Sequence, residues 1–263
     1  YPIRPKDDNG IMEPWKSPYI LMIDLNCDVG EGLENEHLIM PLISSCNISC
    51  GAHAGSIESI DKVLMLAMKH KVTIGAHPSF PDRENFGRKI LDISNTALQQ
   101  SLQDQLTVFK ERATLQNAVI HHVKPHGALY NLIAIDREKA AVVVAAIQQV
   151  FEGVKLYVPY LSKIEEVAEE NGIEVVYEAF ADRAYNDNLT LVSRALPFAL
   201  ITDKHKVLKQ VQQLVEEQLV TTVQCHKKVL KAATFCVHGD NPNVIYLLKN
   251  ITKKLSENGV EII

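Results

Sequence analysis

Four of the chain's ten histidines, His53, His77, His126 and His238, share one setting: each follows a short apolar run and stands beside glycine or proline. An imidazole titrates near neutral pH, so four of them on one surface would suit proton transfer during hydrolysis. Neighbouring glycine lets a backbone approach a ligand closely. Other ionisable residues occupy matching positions. Asp24, Asn26 and Asp28 alternate around the end of the first run, where Asp24 and Asp28 could supply a base or hold a cation. Lys124, two residues before His126, could stabilise an oxyanion or a phosphate. Asp182 and Arg183 follow a later run, and Arg183 could fork onto a substrate carboxylate. Asp240 closes His238-Gly-Asp, and Arg88, in Asn85-Phe-Gly-Arg, is a second candidate anion clamp. Each has an ordinary structural reading when taken singly: a strand-end hydrogen bond, a loop cap at Asp28, a solvated Lys124, an Arg183–Asp182 ion pair. Their convergence favours a site. His37, His70, His121, His122, His205 and His226 read as surface or packing residues.

Such residues converge only if the elements beneath them run in parallel. The apolar runs are Ile20–Leu25, Asn47–Cys50, Val72–Ala76, Val119–Val123, Lys155–Val158, Glu174–Ala179, Thr221–Cys225 and Thr234–Val237. Most are short and continuous, as in parallel strands covered on both faces. Helical stripes lie between them. Ile57, Ile60, Leu64, Ala67 and Met68 follow a Ser56 cap; Leu98, Leu102, Leu106, Phe109 and Ala113 follow Ser94. A shorter helix runs from Ser162 to a stop at Gly172, and a last one is expected to start with Asn241 as cap and Pro242 inside it, ending near Gly259. Strand–helix alternation throughout predicts an α/β fold with a parallel sheet, closed into a barrel or open and doubly wound. No Gly-x-Gly-x-x-Gly opens the first helix, which removes the main support for a dinucleotide-binding fold. In either architecture ligands bind at the carboxyl ends of the strands, where the residues above cluster.

Composition narrows the partners. A single barrel domain is expected over residues 19–263, preceded by a Pro-rich, charged extension over 1–18. The net charge of -5 and the absence of a basic run exclude a nucleic-acid footprint and a polyanion- or membrane-binding surface. The longest apolar run, Ala140–Ile147, is too short to cross a bilayer. The first residues lack the layout of a signal peptide, and the five cysteines read as reduced core thiols, so a cytoplasmic location is expected.

Seven segments, in order, resemble the LamB/YcsF family: Asp24-Leu-Asn-Cys-Asp-Val-Gly-Glu, Asn47-Ile-Ser-Cys-Gly-Ala-His-Ala-Gly, Gly75-Ala-His-Pro-Ser-Phe-Pro-Asp, Phe86-Gly-Arg, His122-Val-Lys-Pro-His-Gly-Ala-Leu-Tyr-Asn, Phe180-Ala-Asp-Arg-Ala-Tyr and Cys236-Val-His-Gly-Asp-Asn-Pro. The resemblance runs from about Ile23 to the C-terminus. It implies an irregular seven-stranded (β/α) barrel, similar to the glycoside hydrolase/deacetylase superfamily, with the extra run, Thr221–Cys225, added or peripheral. It also implies ATP-dependent opening of the lactam 5-oxoproline to glutamate, with ATP and Mg²⁺ and with 5-oxoprolinase subunits B and C as partners. A homo-oligomer is compatible with this reading. The chain departs from the family pattern at Cys27, where alanine is more usual, and at Ala52, a commonly aromatic position. In the deacetylase-like barrels an aspartate and two histidines hold a divalent metal, for which the candidates here are Asp28, His53 and His77. His53 and His77 follow separate strands, so they do not form the deacetylase His-x-x-x-His pair.

On this reading Asp24 or His53 serves as general base, His77 and His126 stabilise or protonate, and Lys124 and Arg183 neutralise phosphate and carboxylate. Asn26, Arg88, Asp182, His238 and Asp240 complete the substrate-binding set. No Gly-x-x-x-x-Gly-Lys-[Ser/Thr] loop is present, so ATP would bind atypically or depend on the partners. Two rivals stand beside this function: a metal-dependent deacetylase or amidohydrolase acting alone on an acylated sugar, and a non-catalytic scaffold subunit.

Overall fold

Residues 21–263 are described in a computed structural model of the chain; the expected extension, residues 1–18, lies outside the described residues. In chain order the strands are β1 (Leu21–Val29), β2 (Ser45–Ser49), β3 (Thr73–His77), β4 (Ile120–Val123), β5 (Lys155–Pro159), β6 (Val175–Phe180), β7 (Leu219–Thr221), β8 (Lys227–Val229), β9 (Thr234–Cys236) and β10 (Val260–Ile262). Strands β1 to β6 pair in parallel with their sequence neighbours, β6 pairs with β9, and β9 returns to β1 through Asp24↔Thr234 and Asn26↔Cys236. Seven strands therefore close a ring. Strand β10 pairs only with Leu21–Ile23, below the point where β9 takes over the same edge of β1. The run Thr221–Cys225 is peripheral: Thr221 ends β7, which pairs antiparallel with β8 outside the ring.

Strand β1 runs four residues beyond the end of its predicted apolar run. Pairing with β9 through Asn26 and with β2 through Val29 holds it extended, so Asp24, Asn26 and Asp28 lie within the strand, not after it. Side chains alternate along a strand. Leu25, Cys27 and Val29 face outward and are buried among the helices, whereas Asn26 and Asp28 join Lys124, Glu178 and Asn47 inside the barrel. The interior of this ring is polar, and the apolar core lies outside it.

The helices are α1 (Glu36–Ile39), α2 (Ile57–His70), α3 (Asn95–Leu115), α4 (Gly127–Ile133), α5 (Arg137–Val150), α6 (Lys163–Glu170), α7 (Lys204–Glu217) and α8 (Val244–Glu257). Their starts follow the sequence signals closely. Ser56 and Ser162 each accept a backbone N–H at the third helical residue, and Ser59 and Glu165 return the bond, giving capping boxes on α2 and α6. Ser94 caps α3. The exception is α8, which starts at Val244 and not after Asn241. Asn241 Nδ2 donates to the Asp182 carboxylate (2.9 Å) while its Oδ1 accepts the Asn243 backbone N–H (3.1 Å), so Asn241 caps the turn that leads into the helix. Each helix buries an apolar stripe against the outer strand faces; Ile60, Val63, Leu64 and Ala67 do so for α2, and Leu98, Leu102, Leu106 and Phe109 for α3. Each full aliphatic or aromatic burial is worth about 1.5–3 kcal/mol. Of the five cysteines, Cys27, Cys46, Cys50 and Cys236 are buried free thiols as expected; Cys225 is exposed in the turn after β7.

Candidate active site

The site begins with a charge buried inside the ring. Lys124, just past the end of β4, is 2 % exposed and reaches Asp28 Oδ1 (2.9 Å) and Glu178 Oε1 (2.8 Å), with Cys236 Sγ at 3.2 Å. Burial alone would lower the Lys124 pKa; Asp28, Cys236 and Glu178 outweigh it and hold the ammonium well above its ordinary range. Burial would likewise raise Asp28, but His77 and Lys124 bring it well below the usual carboxylate range. Asn47 Nδ2 donates to both Asp28 Oδ1 and Asn26 Oδ1 (2.8 Å each), and Asn26 donates to Glu178 (2.9 Å) and Thr234 (2.6 Å). The network leaves Lys124 and Asp28 both charged and both fixed.

Above this layer the ends of β1 to β4 bring together Glu31, His53, His77 and His126. His53 Nε2 lies 3.2 Å from Glu31 Oε1, His126 Nδ1 lies 3.4 Å from the same oxygen, and His77 Nε2 lies 3.0 Å from His126 Nδ1. The His53 and His126 rings stack at 3.8 Å. Burial, then the neighbouring His77, lowers His53 to about 2; burial and His53 lower His126 in the same direction. Glu31 is pushed well above its ordinary value by burial and by Asp28 and Asp240. The donor types and spacing would accept a divalent cation. The expected metal set, Asp28 with His53 and His77, is revised accordingly. Asp28 Oδ1 is taken by Lys124 and Asn47, its Oδ2 lies 3.5 Å from His77 Nε2, and Glu31 and His126 complete the group in its place.

Beside this cluster a cavity of about 430 Å³ opens at the rim, lined by Asp28, His77, Lys124, His126 and His238 on its inner side and by Arg88 and Arg194 among others. Asp182 Oδ1 accepts from His238 Nδ1 (2.8 Å), and its Oδ2 accepts the His238 backbone N–H (3.2 Å). The carboxylate fixes the imidazole tautomer, leaving Nε2 with its lone pair, and Phe180 stacks on the ring. Asp240 carries ion pairs from both Arg88 and Arg194, which hold its carboxyl low against the opposing effect of burial. Two arginines sharing one aspartate at a cavity wall form a site that an anionic ligand could enter by displacing that aspartate.

Several expected positions change. Asp24 sits four residues below Asp28, about 13 Å down the strand, and bonds Ser45 and Thr234. Burial raises its pKa, but it stands too deep to act as a rim base. Asn26 is fully buried beneath Lys124 and does not line the cavity. Asp182 is fully buried and orients His238 instead of meeting a ligand. Arg183 neither pairs with Asp182 nor presents a free fork: Nε and NH2 donate to the carbonyls of Ala199 (3.2 Å) and Val192 (2.7 Å), pinning the loop that carries Arg194. Burial, then Arg194, lowers it to about 10. Three participants carried no assigned role: Glu31, Glu178 and Arg194. Glu178 was legible as a lone carboxylate within an apolar strand, which must find a buried partner. Glu31 closes the first of the seven family segments, whereas Arg194 lies in an aperiodic loop with no signal.

His122 is structural, as expected, and yields a pH prediction. It is fully buried, with Nε2 2.8 Å from Asn47 Oδ1 and its ring stacked on Tyr157 at 3.8 Å. Burial, then His121 and Lys124, keeps its pKa well below 6.5. Below pH 6.5 the unfolded chain takes up a proton that the folded chain refuses, so stability falls with pH by about 1.4 kcal/mol per unit; above pH 6.5 the contribution vanishes. Between about pH 6.5 and 5.5 the unfolded imidazole goes from half to about nine-tenths protonated, so urea unfolding should show the slope of His122→Gln reduced by about 1 kcal/mol per unit. An unchanged slope would mean that His122 is protonated in the folded chain.

A closed seven-stranded parallel barrel with carboxylate–histidine chemistry at the carboxyl ends of its strands places this molecule among the (β/α)-barrel proteins that build their sites at that rim. The chain belongs to the LamB/YcsF family, whose family model matches residues 23–263. It is 38 % identical over 240 residues to the 5-oxoprolinase A-subunit of Haemophilus influenzae (strain PittEE), covering 91 % of this chain and 98 % of that one. The Staphylococcus aureus (strain MRSA252) protein of the same name is also 38 % identical, over 247 residues, covering 92 % and 99 %. The crystal structure of the lactam utilization protein from Thermus thermophilus superposes with a TM-score of 0.86 at 34 % identity, covering 92 % of this chain and 99 % of that one. Among the described residues no helix is long and apolar enough to cross a membrane.

Proposed function

We propose that this chain is the ring-opening component of a cytoplasmic 5-oxoprolinase, hydrolysing the lactam C–N bond of 5-oxo-L-proline to L-glutamate with partner subunits B and C. The observation that carries this reading is the rim cavity, which joins an arginine pair to an aspartate-oriented histidine and a buried ammonium. Arg88 and Arg194 receive the substrate carboxylate in place of Asp240, and Lys124 holds a fixed positive charge in the wall against which an oxyanion develops. His238 Nε2 takes the proton from the attacking water, whose oxygen adds to the lactam carbon; the C–N bond breaks and a proton passes to the departing ring nitrogen. Amide resonance makes the hydrolysis uphill, and ATP with Mg²⁺ supplies the drive: its γ-phosphoryl group passes to the amide oxygen with release of ADP, C–N cleavage then leaves an acyl phosphate, and a second water releases inorganic phosphate and the glutamate carboxylate. With no phosphate-binding Gly-rich loop in the chain, nucleotide handling is assigned to the assembled complex.

The assay is glutamate formation from 5-oxoproline and ATP, with each component omitted in turn. Full activity should require all three, and His238→Ala should reduce kcat by about 10²–10⁴ within an intact complex. Undiminished activity in both His238→Ala and Arg194→Ala would refute the site and favour a scaffold role. The buried Glu31–histidine group favours a second reading, a metal-dependent amide hydrolase acting alone. It predicts acetate release from an acylated sugar by the isolated chain without ATP.

A further inference from the structure

We infer that Glu31, His53, His77 and His126 form a binding site for one divalent cation of the Zn²⁺ or Co²⁺ type, set in the wall of the rim cavity. The inference stands on geometry and holds whether or not 5-oxoproline is the substrate.

The outer nitrogens define the donors. His77 Nδ1 lies 2.6 Å from the Lys124 carbonyl, and His126 Nε2 lies 3.0 Å from the Phe86 carbonyl. A carbonyl oxygen only accepts, so both of these ring nitrogens carry hydrogen. The inner nitrogens, His77 Nε2 and His126 Nδ1, face each other at 3.0 Å inside a buried cluster. Nitrogens at that distance are held together by a proton or by a metal cation between them. A shared proton would serve only that pair, yet Glu31 Oε1 and His53 Nε2 converge on the same space, and all four donor atoms lie within 4.8 Å of one another. The separations of 3.0, 3.2 and 3.4 Å bracket the edge of about 3.3 Å expected for a tetrahedron with metal–ligand bonds of about 2.0–2.1 Å. The His53 and His126 rings stack in parallel at 3.8 Å, so ligation would also turn the His53 ring to aim its Nε2 lone pair at the ion.

The surroundings match what such a centre needs. Metal-bound histidines donate their outer N–H to a carbonyl or carboxylate, which fixes tautomer and ring plane; His77 and His126 both do so. Three imidazoles and one carboxylate suit a borderline cation, whereas Mg²⁺ and Ca²⁺ take oxygen donors. His53 is the least anchored donor, because its buried Nδ1 has no partner among the described residues. The donors follow four successive strands, so a bound ion would tie together the rim segments after β1, β2, β3 and β4.

The test is calorimetric titration of Zn²⁺ into the chelator-stripped full chain, with Mg²⁺ as the hard-cation control, and the visible spectrum of the Co²⁺-loaded protein. One equivalent of Zn²⁺ should bind, Mg²⁺ should not compete, and one equivalent of Co²⁺ should give the intense bands of a low-coordinate nitrogen–oxygen site. Glu31→Gln and His126→Ala should each weaken Zn²⁺ by more than the roughly 10–100-fold typical of losing an outer-shell partner. His238→Ala, in the same cavity but outside the cluster, should leave the affinity unchanged. Circular dichroism checks that each variant is folded. Failure of the wild-type chain to bind either ion stoichiometrically would overturn the proposal, as would unchanged affinity in folded Glu31→Gln and His126→Ala. A proton shared by His77 and His126 would then fill the role.

Discussion

Lys124→Met is expected to lower the stability of the folded chain by about 3–5 kcal/mol, the scale for removing one partner from a buried ion pair, and to abolish the proposed activity. Lys124 stands between Asp28 and Glu178, all three at 5 % exposure or less. Methionine matches the length of the stem but leaves two carboxylates facing each other in a dry interior. At least one must then take up a proton, and the Asn47 and Asn26 amides that donate to them lose ionic acceptors. Lys124→Arg keeps the charge, yet its planar fork needs room that Cys236 and Phe180 occupy, with the ammonium 5.1 Å over the Phe180 ring, so only partial recovery follows. Urea unfolding followed by circular dichroism measures the effect. In Lys124→Met/Glu178→Gln, at least about 1 kcal/mol should return, because one of the stranded charges is gone. A Lys124→Met protein as stable as the parent would show that Asp28 and Glu178 are not both ionised in the folded chain.

Gly75→Ala should be nearly as damaging, through sterics alone. Gly75 lies on β3 in register with His122 on β4, and a Cβ built on it falls inside the His122 ring, with Cε1 at 2.5 Å and Nε2 and Cδ2 nearer still. The ring cannot retreat: Tyr157 stacks on it and Asn47 holds its Nε2. Overpacking a well-filled core costs about 1–3 kcal/mol, and a ring pinned this way puts the expected loss at the top of that range. Displacing His122 would also release Asn47, and with it the amide that orders Asp28, so activity should fall together with stability. Gly75→Ala in a His122→Ala background is the check. The alanine should cost at least about 1 kcal/mol less there, and equal costs in the two backgrounds would place the strain elsewhere.

While the family resemblance implied the peripheral place of Thr221–Cys225, the sequence by itself carried the strand–helix order, the serine caps of α2, α3 and α6 and the gathering of strand-end histidines. These depend on local chemistry: periodicity, capping and the glycine and proline beside each histidine act over a few residues. What it could not carry was depth and partnership. Asp24 and Asp28 look equivalent four residues apart, but closure of the ring sets one about 13 Å beneath the other. Asp182 and Arg183 are adjacent and opposite in charge, so a local pair was the natural reading. The fold instead turns Asp182 to His238, 56 residues away, and Arg183 to the loop carbonyls of Val192 and Ala199. Glu178 and Lys124 meet across the barrel, and Arg194 reaches Asp240 from a loop without pattern. Residue type could announce which groups do chemistry. Only a closed barrel, by bringing distant strands within a side chain's reach and excluding water from between them, decided which groups were paired, which were buried and which faced the cavity.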